Sequence, residues 1–119
     1  MKDFRDLKVW EKAHQMALTT YKLTAHYPKD ELYGLTSQTR RASVSVPTTI
    51  AEGCGRGTDK DFARFLQNSM GSASELEYLI QLAYDLGYLV VADYHTLNSQ
   101  IVEIKRMLTV FIQKLRATR

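Results

Sequence analysis

Residues 35 to 61, LTSQTRRASVSVPTTIAEGCGRGTDKD, decide the fold. The stretch reads as one helix with a proline in its middle, a glycine-broken turn, and the start of a further helix. Its interior, ASVSVPTTIA over 42–51, is small or β-branched, and such residues alone are mediocre helix formers. Leu35, the pair Arg40-Arg41 and Ala51-Glu52 flank this interior in helical style, and the segments on both sides have helical period. The reading is therefore a helix over about 35–53. Pro47 removes the hydrogen bond to the Ser43 carbonyl and bends it. Small side chains along a bent internal helix let neighbouring helices come close. Gly53, Gly55 and Gly57 then break the chain. Thr58 or Asp59 caps the next helix, with Asp61 at a capping-box-like distance from Thr58.

Outward from there, a helix over about 59–86 carries Phe62, Leu66, Ser69, Ala73, Leu76, Ile80 and Ala83 at alternating spacings of four and three. Phe65, Ser72, Leu79 and Leu86 form a second row, which widens the seam to two partners, as a bundle core needs. Gly87 ends this helix, and Asp93 is the expected cap of a helix over about 94–116, whose apolar face is Leu97, Ile101, Ile104, Leu108, Phe111 and Leu115. On the other side, a first helix over about 7–26 starts after Asp6 as N-cap and presents Leu7, Trp10, His14, Ala17, Tyr21 and Thr24 on one face. Pro28 stops it, and Lys29 to Tyr33 make one further helical turn before Gly34. Four helices, short connections and no internal repeat predict an all-α chain. They predict a single domain over 1–119, an antiparallel up-down-up-down four-helix bundle. The heptad-like spacing also suits association between chains, so a homo-oligomer is expected.

Composition narrows the function. The chain has 119 residues, enough for one domain that folds without disulfides or metal. Its one cysteine, Cys54, excludes an internal disulfide and fits a reducing compartment. No apolar run approaches the roughly 18 residues of a membrane span, and the N-terminal MKDFRDLKVW is charged where a signal peptide is apolar. A cytoplasmic protein is expected. The net charge is +3, which permits an anionic partner without demanding one. The last turns carry Lys105, Arg106, Lys114, Arg116 and Arg119 against Glu103, whereas residues 59–87 lean acidic.

Chemistry-bearing constellations are few. Gly53-Cys54-Gly55-Arg56-Gly57 lacks the spacing, the preceding strand and the lysine of a phosphate loop, and helix capping explains it. Cys54 has no histidine near it in sequence to act as base. Glu11 and His14 make one Glu-x-x-His, but a di-iron site needs a second copy and two further glutamates. No zinc finger, RNP motif or helix-turn-helix is present. Tyr27, Tyr33, Tyr84, Tyr88 and Tyr94 lie near helix ends, where tyrosines stack on bases or pack with the hydroxyl wet. No catalytic residues, no metal and no cofactor are predicted. The residues assigned to anion binding are Arg40, Arg41, Arg56, Lys105, Arg106, Lys114 and Arg116, with Lys8 and Lys12 extending the patch. A competing structural role for the arginine pair is an ion pair with an acid such as Glu52 or Glu75, within or between subunits, since Arg41, Thr48 and Glu52 share one helical face.

FRDLKVW at 4–10, YGLTSQTRRASVSVPTTIAEGCGR at 33–56 and DFARFLQNSMGSASELE at 61–77 resemble, in this order, the motif blocks of the four-helix-bundle protein family of the 23S rRNA intervening sequence. That family is related to the accessory variability protein of diversity-generating retroelements. The resemblance implies a four-helix bundle assembled as a ring-shaped homopentamer with a positive surface, and Arg40 and Arg41 fall where the family has its arginine pair. Five subunits of +3 carry about +15 on one ring. The expected function is a non-catalytic oligomeric scaffold binding RNA or other nucleic acid electrostatically. The alternative is an interaction module docking a partner protein through exposed Tyr88, Leu89 and Val90 without nucleic acid.

Overall fold

The structure, a computed structural model, describes residues 3–117. Four α-helices make it up: α1 (Lys8–Thr24), α2 (Leu35–Cys54), α3 (Asp59–Asp85) and α4 (Val91–Ala117). Short 3₁₀ turns precede α1 and α2, and there is no strand among the described residues. Arg119 lies outside them. The body is elongated, 49 × 22 × 20 Å. Each helix packs on its sequence neighbours and α1 also packs on α4, so the four surround one core. Phe62, near the start of α3, meets Phe111, near the end of α4, edge-on at 5.2 Å. Tyr84 and Tyr94 stack at 4.8 Å at the opposite ends of the same two helices.

The helix through Pro47 forms unbroken, and the proline is buried within it. The reason is packing. A Cβ on Gly53 would stand 2.8 Å from Phe62 Cδ1 and 3.0 Å from Phe65 Cβ, so α3 lies against bare α2 backbone there. Ser69 Oγ donates to the Val46 carbonyl at 2.9 Å, and the Ser45 and Ser72 hydroxyls meet at 2.9 Å. Short polar side chains thus join α2 and α3 where the helices are too close for larger ones. Thr58 caps α3, its hydroxyl accepting from the Asp61 amide at 3.1 Å, which satisfies one orphan donor of the first turn.

Several expectations about faces and ends are corrected. The N-cap of α1 is Leu7, not Asp6, which sits in the preceding 3₁₀ turn, and no side chain caps α1. The buried face of α1 is Val9, Ala13, Met16, Ala17, Thr20 and Thr24. His14 and Tyr21 are exposed and Trp10 is half-buried. Both faces have helical period. The stripe with Met16 at its centre turned inward, and the rings of Trp10 and His14 stack on each other, 5.0 Å apart. In α4 the helix begins at Val91, so Asp93 lies in its first turn rather than capping it. There its charge still suits the positive end of the helix.

Leu86 is exposed, against its assignment to the seam. The cause is the end of α3. Gly87 has φ +83°, the Gly87 amide donates to the Tyr84 carbonyl at 3.0 Å, and the Tyr88 amide donates to the Ala83 carbonyl at 2.8 Å. This pair of bonds is the Schellman closure, which needs a left-handed residue after the cap. It turns the chain so that Leu86 points to water and Leu89 inward.

Candidate nucleic-acid interface

The seven cations assigned to anion binding part company in three dimensions. Arg40 is half-buried between α1 and α2. Its Nε donates to Thr24 Oγ1 at 2.8 Å, its Nη2 reaches the Tyr21 carbonyl at 3.5 Å, and its guanidinium lies 4.8 Å over the Tyr21 ring. That is a clasp on the C-terminal end of α1, where a cation also meets the negative end of the helix. Arg56 is held 3.9 Å from Asp61 and 4.8 Å over the Phe65 ring. Lys105 Nζ donates to Glu77 Oε1 at 2.8 Å and joins α4 to α3. Lys12 pairs with Glu103 at 3.1 Å. Arg116 borders a depression that also holds Lys60, Arg64, Asp59 and Asp61, so charges of both signs line it. Arg41 stands exposed on α2, and among the described residues of one chain it makes no ion pair with Glu52 or Glu75.

Arg106 and Lys114 do come together, and Lys8 joins them. The three border a groove of about 500 Å³ between the start of α1 and the second half of α4, floored by Leu7, Val9, Met107, Val110 and Phe111. No carboxylate among the described residues lines it. Arg106, Val110 and Lys114 follow one another at intervals of four on α4, so the two cations are spaced about 12 Å apart along the helix. Lys8 is the first residue of α1, and a cation there opposes the helix dipole by about 0.3–1 kcal/mol. Its position is one that helix stability does not select. The groove can therefore do what a row of cations on an apolar ledge does: attract a polyanion and neutralise several of its charges at once. Arg106 also borders depressions that hold Glu77 and Glu103.

The sequence named all three cations but not the groove. The usable signal was the alternation Val102, Arg106, Val110, Lys114 at intervals of four, which lays cations and aliphatic residues along one stripe of α4. Leu89, offered in the alternative reading as an exposed docking residue, is buried, and Tyr88 is half-buried. Cys54 is also buried. Among the described residues no group of three or more histidines, cysteines or carboxylates is placed to hold a metal, and no helix is long and apolar enough to cross a membrane.

With this geometry in place, the comparisons with known proteins are specific. The family model described as 23S rRNA-intervening sequence protein matches residues 5–110. Among solved structures, a protein with unknown function from the S23 ribosomal protein family of Bacteroides thetaiotaomicron is similar to this chain. It is 23% identical, with a TM-score of 0.82, over 88% of this chain and 95% of its own. At that identity the likeness speaks for the fold. No curated protein matches the chain.

Proposed function

The chain belongs to the 23S rRNA-intervening sequence protein family, and from that premise we propose that it is a non-catalytic helical scaffold that holds RNA or another nucleic acid on its Lys8–Arg106–Lys114 face. The single observation that carries this reading is the groove itself: three cations with no carboxylate among the described residues that line it. Elsewhere the assigned cations are mostly committed to carboxylates, hydroxyls or rings. Contacts of this kind bind phosphate without reading sequence, so affinity falls steeply with salt.

Two further parts of the reading concern architecture. The helices alternate up and down: the connections from α2 to α3 and from α3 to α4 are far shorter than the helices, and the paired aromatic ends of α3 and α4 support this. The bundles assemble as a cytoplasmic homo-oligomer, a ring of five, which repeats the basic face around an axis and sums its field. The apolar floor of the groove favours a second reading, in which an acidic protein segment seats there without nucleic acid.

The test is light scattering of the purified chain together with fluorescence anisotropy of a structured RNA and a matched DNA duplex at about 50 and 200 mM salt. Binding that is tight at low salt and collapses at high salt supports the scaffold. Absence of binding at low salt removes it and leaves the protein-docking reading. A monomer of unchanged affinity removes the ring alone.

A further inference from the structure

Eleven large hydrophobic side chains are exposed among the described residues, and six of them fall in two short segments at one end of the bundle. They are Leu32 and Tyr33 before α2, Tyr84 and Leu86 at the end of α3, and Val90 and Val91 at the start of α4. Tyr33 is 94% exposed and Val90 65%. A concentration of this kind on a soluble surface marks an interaction site, whereas single exposed residues need no explanation.

The patch is built rather than floppy. The rings of Tyr27 and Tyr88 meet at 5.6 Å, and the Tyr88 hydroxyl donates to Glu31 Oε2 at 3.0 Å. The other Glu31 oxygen accepts from the Leu35 amide at 3.1 Å. One carboxylate thus ties the connection before α2 to the one before α4, and holds Leu32 and Tyr33 on the same end as Leu86 and Val90. A preformed surface loses little entropy on binding.

Charge selects the occupant. No lysine or arginine occurs from residue 65 to residue 104. The two segments and their immediate flanks carry Asp30, Glu31, Asp85 and Asp93 against Lys29, while Lys22, Arg40 and Arg41 stand further from the tip on α1 and α2, Arg40 held against Thr24 and Tyr21. Such an apolar tip with an acidic rim repels phosphate and anionic lipid headgroups. It complements aliphatic or aromatic anchors flanked by lysine or arginine.

We infer that this end of the bundle, Leu32, Tyr33, Leu86 and Val90 within an acidic rim, is a docking surface for a basic amphipathic segment of a partner protein. It lies at the end of α3 and α4 away from the groove, whose α4 residues run from Arg106 to Lys114. The chain then joins a protein at one end to an anion at the other.

The experiment selects peptides from a displayed library of helical sequences against the whole chain and maps the winners by amide shifts in heteronuclear NMR. Enriched peptides are expected to pair apolar anchors with lysine or arginine, and to shift the amides of 32–33 and 86–91. Their affinity falls about tenfold or more in Leu32→Ser/Val90→Ser, and also in Tyr33→Ala, which leaves the packing untouched. It is unchanged in Arg106→Glu/Lys114→Glu, so failure here is separable from failure of the nucleic-acid reading. No enrichment, enrichment of acidic peptides, or binding that survives both tip variants overturns the inference. So does a change of assembly mass in the tip variants, which would make the patch a contact between copies. Binding of the chain through this end to vesicles of phosphatidylcholine and phosphatidylserine overturns it as well.

Discussion

Arg40 is bonded to Thr24 across two helices: its Nε donates to Thr24 Oγ1 at 2.8 Å, and that hydroxyl donates onward to the Thr20 carbonyl at 2.7 Å. The hydroxyl's proton is committed to α1, so its lone pair is free only for the guanidinium. With the Tyr21 ring beneath, the arginine links α1 to α2. Arg40→Ala is expected to lower unfolding stability by about 2–4 kcal/mol, the sum of a charge-assisted bond and a cation–π contact. It should leave anion affinity at low salt within about twofold of the parent. Urea unfolding and anisotropy on the same variant check both halves.

Gly53 and Gly71 respond oppositely to alanine. At Gly53 the added Cβ meets Phe62 and Phe65 at 2.8 and 3.0 Å. Overpacking costs about 1–3 kcal/mol, against a helix-propensity gain of at most about 1. At Gly71, within α3, a Cβ meets nothing within 4 Å. Gly71→Ala should therefore stabilise by about 0.5–1 kcal/mol and Gly53→Ala should destabilise, as read by thermal melts.

Thr39 is fully buried, and its hydroxyl has no hydrogen-bond partner among the described residues. An unsatisfied buried donor carries a desolvation penalty of about 1–3 kcal/mol, which a methyl group of similar size does not. Thr39→Val is expected to raise the melting temperature by several degrees, about 4 °C per kcal/mol for a chain of this size. A lower melting temperature would mean the hydroxyl is satisfied.

Burial pushes the Tyr27 phenol from 10.0 up to about 12. A pKa raised in the folded state favours the neutral form there. The stability it contributes is complete below the unfolded value of 10.0 and is lost as pH rises through about 12. Alkaline unfolding is expected between these values, and Tyr27→Phe should shift its midpoint upward. Far-ultraviolet circular dichroism across the titration reads the midpoint. A midpoint that does not move would place the alkaline loss elsewhere.

How far the sequence could be read depends on the same residues. The seams of α3 and α4 were legible because Leu66, Ala73, Leu76 and Ile80, and Leu97, Ile101, Ile104 and Leu108, keep one period against both neighbours. The face of α1 was legible in part: Leu7, Ala17 and Thr24 are buried and Trp10 packs against the core, whereas His14 and Tyr21 are exposed. Trp10, His14 and Tyr21 share a helical stripe as well as Val9, Ala13, Met16 and Thr20 do, and which stripe turns inward depends on how closely α2 and α4 approach. The arginine pair looked like one unit, yet consecutive helical residues lie about 100° apart, so Arg40 faces α1 while Arg41 faces water. Lys105 and Arg106 divide in the same way, one paired with Glu77 and the other on the groove. Local pattern fixes spacing along a helix. The partners of a long cation are set by the neighbouring helices.

The most direct test of the nucleic-acid face is the salt dependence of RNA affinity for the parent chain and for Arg106→Glu/Lys114→Glu, with assembly mass checked in parallel. In the variant the log–log slope is expected to fall by about two and low-salt affinity to drop by about a hundredfold, with mass and melting temperature unchanged. Equal slopes and equal affinities in the two proteins would contradict a phosphate-binding groove, because the groove would then hold no phosphate.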